Sequence, residues 1–191
     1  MKKILSLITV TIVLGISSSH AVTIYEEDFS DALGGWSTNY TGAGIFGIDG
    51  GAMAWLGKNV DQNPTQSSGT WFSPLINIAG FTDIKIFVDV WTKNDREFET
   101  NDYLSVGYDL DSNGITNITT FFGAIPDQTV MSSSLSGTSL KVAIEIFNTG
   151  TNEFTYFDNV KVTGTPVPDT STTFSLLGLA IFGLAFYRNR K

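Results

Sequence analysis

Hydrophobic and polar residues alternate one by one in the middle of the chain. Residues 84–90 read Ile-Lys-Ile-Phe-Val-Asp-Val, and residues 140–146 read Leu-Lys-Val-Ala-Ile-Glu-Ile. Successive side chains of a β-strand point to opposite faces, so each segment predicts a strand with one apolar face. Lys141 and Glu145 are expected to point outward.

Similar runs recur between residues 22 and 164, separated by clusters of Gly, Asn, Asp, Ser and Thr. No stretch there keeps a helical period. The pattern predicts an all-β domain, a two-sheet antiparallel β-sandwich over residues 22–164. The predicted strands are Thr23–Phe29, Gly44–Ile48, Ala52–Leu56, Thr70–Phe72, Asp83–Trp91, Tyr103–Leu110, Ile115–Phe122, Ser139–Phe147 and Phe154–Val162.

The N-terminus has a different pattern. Lys2 and Lys3 precede an apolar run over residues 4–16, and Ser19 and Ala21 lie where a cleavage site needs small residues. This order is typical of a signal peptide, which signal peptidase removes. We therefore expect residues 1–21 to be absent from the mature protein.

The C-terminal segment, residues 165–191, holds a second apolar run. Residues 172–187 carry no charge, and Arg188, Arg190 and Lys191 follow. As a helix these 16 residues span roughly 24 Å, slightly short of a ~30 Å hydrocarbon core. The basic end would stay in the cytoplasm. A buried helix of a soluble domain is the alternative, but the run has no polar face to show water.

The same segment resembles a known class of sorting signal. Val167, Pro168 and Asp169, a Ser/Thr stretch, the apolar run and the terminal arginines are similar to the Val-Pro-Asp variant of the bacterial PEP-CTERM domain. The resemblance implies an exported protein, held transiently in the inner membrane and cut near the motif by an exosortase-type enzyme. It would then reach the cell surface or the extracellular matrix. Thr170 and Ser171 replace the usual Ser-Gly.

Charge and composition exclude several functions. The whole chain carries a net charge of −8, and residues 22–167 hold six basic and 18 acidic residues, a net of −12. Nucleic acid is therefore not an expected partner, whereas divalent cations suit such a surface. The chain has no cysteine, and its one histidine, His20, lies in the predicted signal peptide. A mature domain without either residue cannot build a Ser-His-Asp triad or a usual zinc site.

A second resemblance rests on short segments of the middle region. Glu27 to Ser30, Gly35-Trp36, Trp71 to Pro74 and Phe157 to Val162 look like the jelly-roll sandwiches of carbohydrate-binding modules. The resemblance implies a structural Ca²⁺ where the first and last strands meet.

By position, the calcium ligands would be Glu27 or Asp28 together with Asp158. Calcium fits because only oxygen ligands are available. In the alternative interpretation, Asp158-Asn159 caps a strand end and Asp28 begins a turn.

Exposed aromatic rings would be the sugar-binding feature of such a module. Trp36 and Trp55 are surrounded by Gly, Asn and Thr, so we expect these two side chains to be exposed and to stack on sugar rings. Most other large aromatic side chains should lie in the core.

Two acidic segments have competing interpretations. Asp109 to Gly114 matches half of an EF-hand loop, but Thr120 stands where the loop needs a bidentate Glu, so a hairpin turn at Asn113-Gly114 is favoured. Glu97, Glu99 and Asp102 form either a glycosidase carboxylate pair or a solvated loop.

Three functions remain open from the sequence. One is a non-catalytic surface protein whose jelly-roll binds polysaccharide, and another is a purely structural or adhesive envelope component without a small ligand. The third, a glycan-active enzyme, is not favoured, because no catalytic constellation is visible. We therefore predict no enzymatic activity, and no cofactor beyond the structural Ca²⁺.

Overall fold

A computed structural model describes residues 20–30, 34–39, 48–49, 52–55, 69–93, 98–148 and 154–168. Most of the predicted signal peptide, Asp169 and the predicted transmembrane helix lie outside these ranges. Within them, no helix is long and apolar enough to cross a membrane.

The described part of the chain contains twelve strands, and every pairing between them is antiparallel. They are β1 (Val22–Glu27), β2 (Ser37–Thr38), β3 (Ile48–Asp49), β4 (Ala52–Trp55), β5 (Gly69–Phe72), β6 (Ile76–Asn77), β7 (Phe81–Lys93), β8 (Tyr103–Leu110), β9 (Ile115–Phe122), β10 (Gln128–Met131), β11 (Ser139–Phe147) and β12 (Phe154–Pro166).

The strands form two main sheets. The four-stranded sheet has the order β1-β12-β7-β10, and the six-stranded sheet has the order β2-β5-β11-β8-β9 with β6 also paired to β11. Strands β3 and β4 pair with each other and with no other strand among the described residues. The predicted all-β sandwich is confirmed.

The core lies between the inner faces of these sheets. In β7 the side chains of Ile84, Ile86, Val88 and Val90 are completely buried, as the alternation predicted. In β11 the side chains of Leu140, Val142, Ile144 and Ile146 are completely buried as well. Burying these rows is the main favourable term that holds two sheets without disulfides together.

The first and last strands pair along one edge region of the four-stranded sheet. In β1 and β12, Glu27 faces Val160 and Glu26 faces Lys161. A bulge between Asp158 and Lys161 interrupts the pairing of β12 with β7, and Asn159 there has a φ of 47°. This geometry brings the end of β1 close to the middle of β12.

The predicted hairpin between β8 and β9 is confirmed, but its turn lies two residues earlier in the chain than predicted. Asn113 N donates to Leu110 O at 3.2 Å, so Asp111 and Ser112 are the central residues. Both have positive φ, 54° and 60°, which is the signature of a type I′ turn. Gly114, with a φ of 93°, leads into β9.

The same turn disfavours the half EF-hand. Asp111 Oδ1 accepts hydrogen bonds from the backbone N–H groups of Thr138 and Ser139, both at 2.8 Å. These bonds lower the pKa of Asp111, and the bond from the Thr138 hydroxyl contributes most. The carboxylate therefore ties the hairpin to the start of β11.

Candidate functional site

The outer face of the four-stranded sheet carries a row of polar and aromatic side chains. On β7, Asp89 and Trp91 alternate with the buried Val88 and Val90, so they point away from the core. Across the pairing with β12, Asp89 faces Asp158 and Trp91 faces Tyr156. The indole of Trp91 stacks on the Tyr156 ring, with centroids 5.2 Å apart and planes within 3°.

A groove lies beside Trp91, between β7 and the start of β10. We call it the Trp91 groove; its volume is about 410 Å³. Its lining combines one indole ring with carboxylates, an amide and a hydroxyl. The lining residues are Asp89, Val90, Trp91, Asp127, Gln128 and Thr129.

Hydrogen bonds fix the walls of the Trp91 groove. Thr92 N donates to Ile125 O at 3.0 Å, and Ile125 N donates to Thr92 Oγ1 at 2.8 Å, so the loop before β10 is attached to β7. Asp89 accepts from the Thr129 hydroxyl with one oxygen. Its other oxygen accepts from Asn159 Nδ2 at 3.0 Å. The groove is therefore preformed.

A second cavity of about 410 Å³ lies on the other side of Asp89. Lys161 and Glu26 line it and form an ion pair at 3.4 Å. Its lining residues are Glu26, Phe87, Asp89, Asn159, Lys161 and Thr163. Asp89 thus borders both cavities.

Asp158 has an unusual electrostatic environment. Its pKa is raised to about 6, mainly by burial and to a smaller extent by the charges of Asp28, Asp89 and Glu27. A hydrogen bond from Asn159 N acts in the opposite direction and lowers it. The structure thus brings the three residues predicted as calcium ligands into one electrostatic cluster. Asp89 joins them, and only the register between β7 and β12 reveals that.

The fit of this cluster to a metal ion is incomplete. Glu27 Oε1 accepts from Phe29 N at 2.8 Å, Asp28 Oδ1 from Ser30 N at 3.0 Å and Asp158 Oδ1 from Asn159 N at 2.7 Å. Among the residues described, no three Asp, Glu, His or Cys side chains are placed to hold a metal ion. Calcium binding stays a prediction.

In the alternative interpretation, Asp28 begins a turn and Asp158-Asn159 caps a strand end. The structure supports it for Asp28 only. The bond from Ser30 N to Asp28 is that of a turn, as expected. Asp158 and Asn159, however, do not cap a strand end. They lie at a bulge inside β12, which continues to Pro166.

The prediction that Trp36 is exposed is wrong. Its side chain is 7% exposed, its Nε1 donates to the Tyr25 hydroxyl at 2.9 Å, and the rings of Phe29 and Phe157 are each 5.5 Å away. Gly34, at a φ of 50°, lies so close to the Glu27 carboxylate that a Cβ there would collide with it. Trp36 therefore cannot present a ring face to a sugar.

Two further predictions concern Trp55 and the acidic segment of Glu97, Glu99 and Asp102. Trp55 is the last residue of β4, and its side chain lies outside the part of the chain that is described. Glu97 lies outside it as well. Asp102 is only 1% exposed and accepts a hydrogen bond from Glu99 N, so this acid supports its own loop rather than a solvated patch.

The fold and the tail together define a class of protein: a β-sandwich domain with a C-terminal sorting signal. Residues 166–191 match the VPDSG-CTERM motif. This confirms the predicted C-terminal sorting signal, and it marks the chain for export, surface association and processing by a sorting enzyme. The match begins at the last residue of β12, so the signal directly follows the sandwich.

Comparison with known structures supports the fold. The K3 cleaved adhesin domain of Lys-gingipain from Porphyromonas gingivalis w83 matches at a TM-score of 0.55 with 14% identity, over 75% of this chain and 99% of that one. At this identity the likeness concerns the architecture alone. No curated protein matches the chain in sequence.

Proposed function

We propose that this is an exported surface protein whose sandwich binds polysaccharide in the Trp91 groove without cleaving it. The precursor is held in the inner membrane and is cut near Val167 to Asp169. The observation that carries the proposal is the groove itself: an indole ring, fixed by stacking, beside carboxylate and amide groups.

The chemistry of the Trp91 groove suits a sugar chain. The apolar face of a sugar ring can pack on an aromatic side chain, while its hydroxyls donate to carboxylates and exchange hydrogen bonds with an amide. Asp89, Asp127 and Gln128 supply these groups. Because Trp91 is already stacked on Tyr156, little side-chain freedom is lost on binding.

The context agrees with a binding role. The sorting signal delivers the domain to the cell surface. The structural neighbour is named as an adhesin domain, which supports adhesion as the general class of activity. An acidic surface favours neutral or cation-bridged polysaccharides over highly anionic ones.

Glycan-array binding of the processed, exported protein tests the proposal. We expect Trp91→Ala to weaken binding by about tenfold, since a stacked ring contributes on the order of 1 kcal/mol beyond its buried area. Gln128→Ala, at an exposed position, should weaken it without affecting the fold. Leu75→Ala, an exposed residue outside the groove, serves as the control. Retained binding by both groove variants would contradict the site.

The non-catalytic part of the proposal has its own test. The bound polysaccharide should release no reducing ends on long incubation with the wild-type protein. Release that disappears in Asp89→Asn or Asp127→Asn would show that these groove carboxylates are catalytic.

A further inference from the structure

Strand β9 is a long and uncharged edge of the six-stranded sheet. It pairs with β8 on one side, and within the described residues no strand pairs with its other side. Its residues, Ile-Thr-Asn-Ile-Thr-Thr-Phe-Phe, include no charge and no proline. An edge of this kind presents free backbone N–H and C=O groups to another strand.

The other sheet edges in the described part are blocked in usual ways. Strand β1 carries Glu26 and Glu27 and contains a register shift. Strands β10 and β2 have only four and two residues. Charge, irregularity and shortness all discourage pairing with a further chain. Strand β9 carries no charge and is eight residues long, so neither charge nor shortness protects it.

A bulge in β9 places its two exposed hydrophobic ends on one face. Tyr103 faces Phe122 and Asp109 faces Ile115, so both β9 residues share the outer face of the sheet. Seven positions separate them, and in a regular strand they would point to opposite faces. Ile118 is the extra residue, because Thr119 and Asn117 face consecutive residues of β8. Ile115 is 50% exposed and Phe122 is 65% exposed.

We propose that two copies of this chain pair through β9, antiparallel and around a two-fold axis. With the axis between Ile118 and Thr119, Ile115 faces Phe122 of the partner subunit. Asn117 faces Thr120 of the partner subunit, on the same outer face. The two six-stranded sheets then form one continuous sheet.

A second copy fits this edge better than an unrelated strand does. The register is self-complementary. Ile115 of each subunit faces Phe122 of the partner subunit, so the same hydrophobic contact forms twice in the dimer. Residues 22–167 carry a net charge of −12, which repels a second copy from most sides, but β9 is neutral. The aromatic row also continues: Phe122 contacts Tyr103 at 6.1 Å and Tyr103 stacks on Phe147 at 5.6 Å.

Cysteine cross-linking tests the register directly, because the chain has no cysteine of its own. Residues directly opposite in an antiparallel pair lie within disulfide range. The exported protein with both Asn117→Cys and Thr120→Cys should form a covalent dimer under mild oxidation. Each single variant should stay monomeric on a non-reducing gel, since like positions are three residues apart along the strands. Thr129→Cys with Met131→Cys, two exposed residues on one face of edge strand β10, is the matched control.

Sedimentation equilibrium supplies an independent measurement on variants that keep the backbone unchanged. Phe122→Lys and Ile115→Lys should each weaken the wild-type dimer by at least about tenfold, because each places two charges in the pairing edge. Met131→Lys, an equally exposed position on β10, should leave it unchanged. A monomeric wild-type protein, or cross-linking as efficient in the β10 control, would overturn the proposal.

Discussion

At the scale of single residues, Asp158 shows how the fold creates an electrostatic cluster that no local segment contains. Its neighbours Glu27 and Asp28 come from β1 and the turn that follows, and Asp89 comes from β7. Carboxylates held together by strand pairing repel one another, and the repulsion is relieved by protonation or by a cation.

The pH dependence of stability should reveal the raised pKa of Asp158. Because this pKa is about 6 in the folded protein and 3.8 ordinarily, the folded chain binds the proton more tightly, and the penalty disappears as the pH falls from about 7 to about 4. In EDTA, Asp158→Asn should therefore melt above wild type at neutral pH, and the difference should close on acidification. Asp111→Asn is the opposite control, since its lowered pKa makes the carboxylate stabilising at neutral pH. Parallel melting curves for wild type and Asp158→Asn at all pH values would contradict the cluster.

If calcium binds at the predicted site, the wild-type protein should melt above Asp158→Asn when the ion is present. A ligand that binds only the folded state adds ~2.7 kcal/mol at a hundredfold excess over its dissociation constant. Calcium should raise the melting temperature of wild type but not that of Asp158→Asn. Identical melting curves of the wild-type protein in EDTA and in millimolar calcium would remove the site and leave Asp158 as a strained acid.

At the scale of elements, the β8–β9 hairpin has a sharp conformational requirement. Gly114 has a φ of 93°, and a Cβ there would meet nothing within 4 Å. Gly114→Val should therefore cost on the order of 1–3 kcal/mol of unfolding free energy through backbone strain alone. Thr116→Val, an exposed strand position, should stay within about 0.5 kcal/mol of wild type. Equal urea midpoints for the two variants would argue against the turn geometry.

The strands show which elements a sequence reveals. β7 and β11 alternate over seven or more residues, and β8 and β9 are bounded by clear turn residues, so their predicted positions agree with the structure. Strands β2, β6 and β10 have two to four residues, too few for any period to appear.

The candidate site was harder to predict for a different reason. Asp89 meets Asp158 only because of the register of two strands that lie far apart in the chain. Trp36 is buried because Phe157, also distant in sequence, completes its pocket. The Gly, Asn and Thr residues around Trp36 indicated an exposed side chain, and they contained no information about the contact with Phe157.

At the scale of the whole molecule, the chain combines a sandwich with a sorting signal that begins where β12 ends. Val167 N still donates to Gly80 O at 2.9 Å, so the signal starts at the surface of the domain. Cleavage close to this point would release an intact sandwich.

Fractionation of expressing cells tests whether a membrane-held precursor is cut near the sorting motif before the protein is released. The membrane fraction should hold a precursor with residues 174–191, and the extracellular protein should end near Val167 to Asp169 by mass spectrometry. Pro168→Ala with Asp169→Ala should accumulate the precursor. An extracellular form that keeps residues 174–191 would contradict processing at the motif.

An NMR titration of the processed protein with a glycan found to bind on the array tests polysaccharide binding in the Trp91 groove. We predict that the largest shifts occur at the Trp91 indole N–H and at the backbone amides of Asp127 and Gln128. Shifts confined to the six-stranded sheet, or none with any bound glycan, would contradict it.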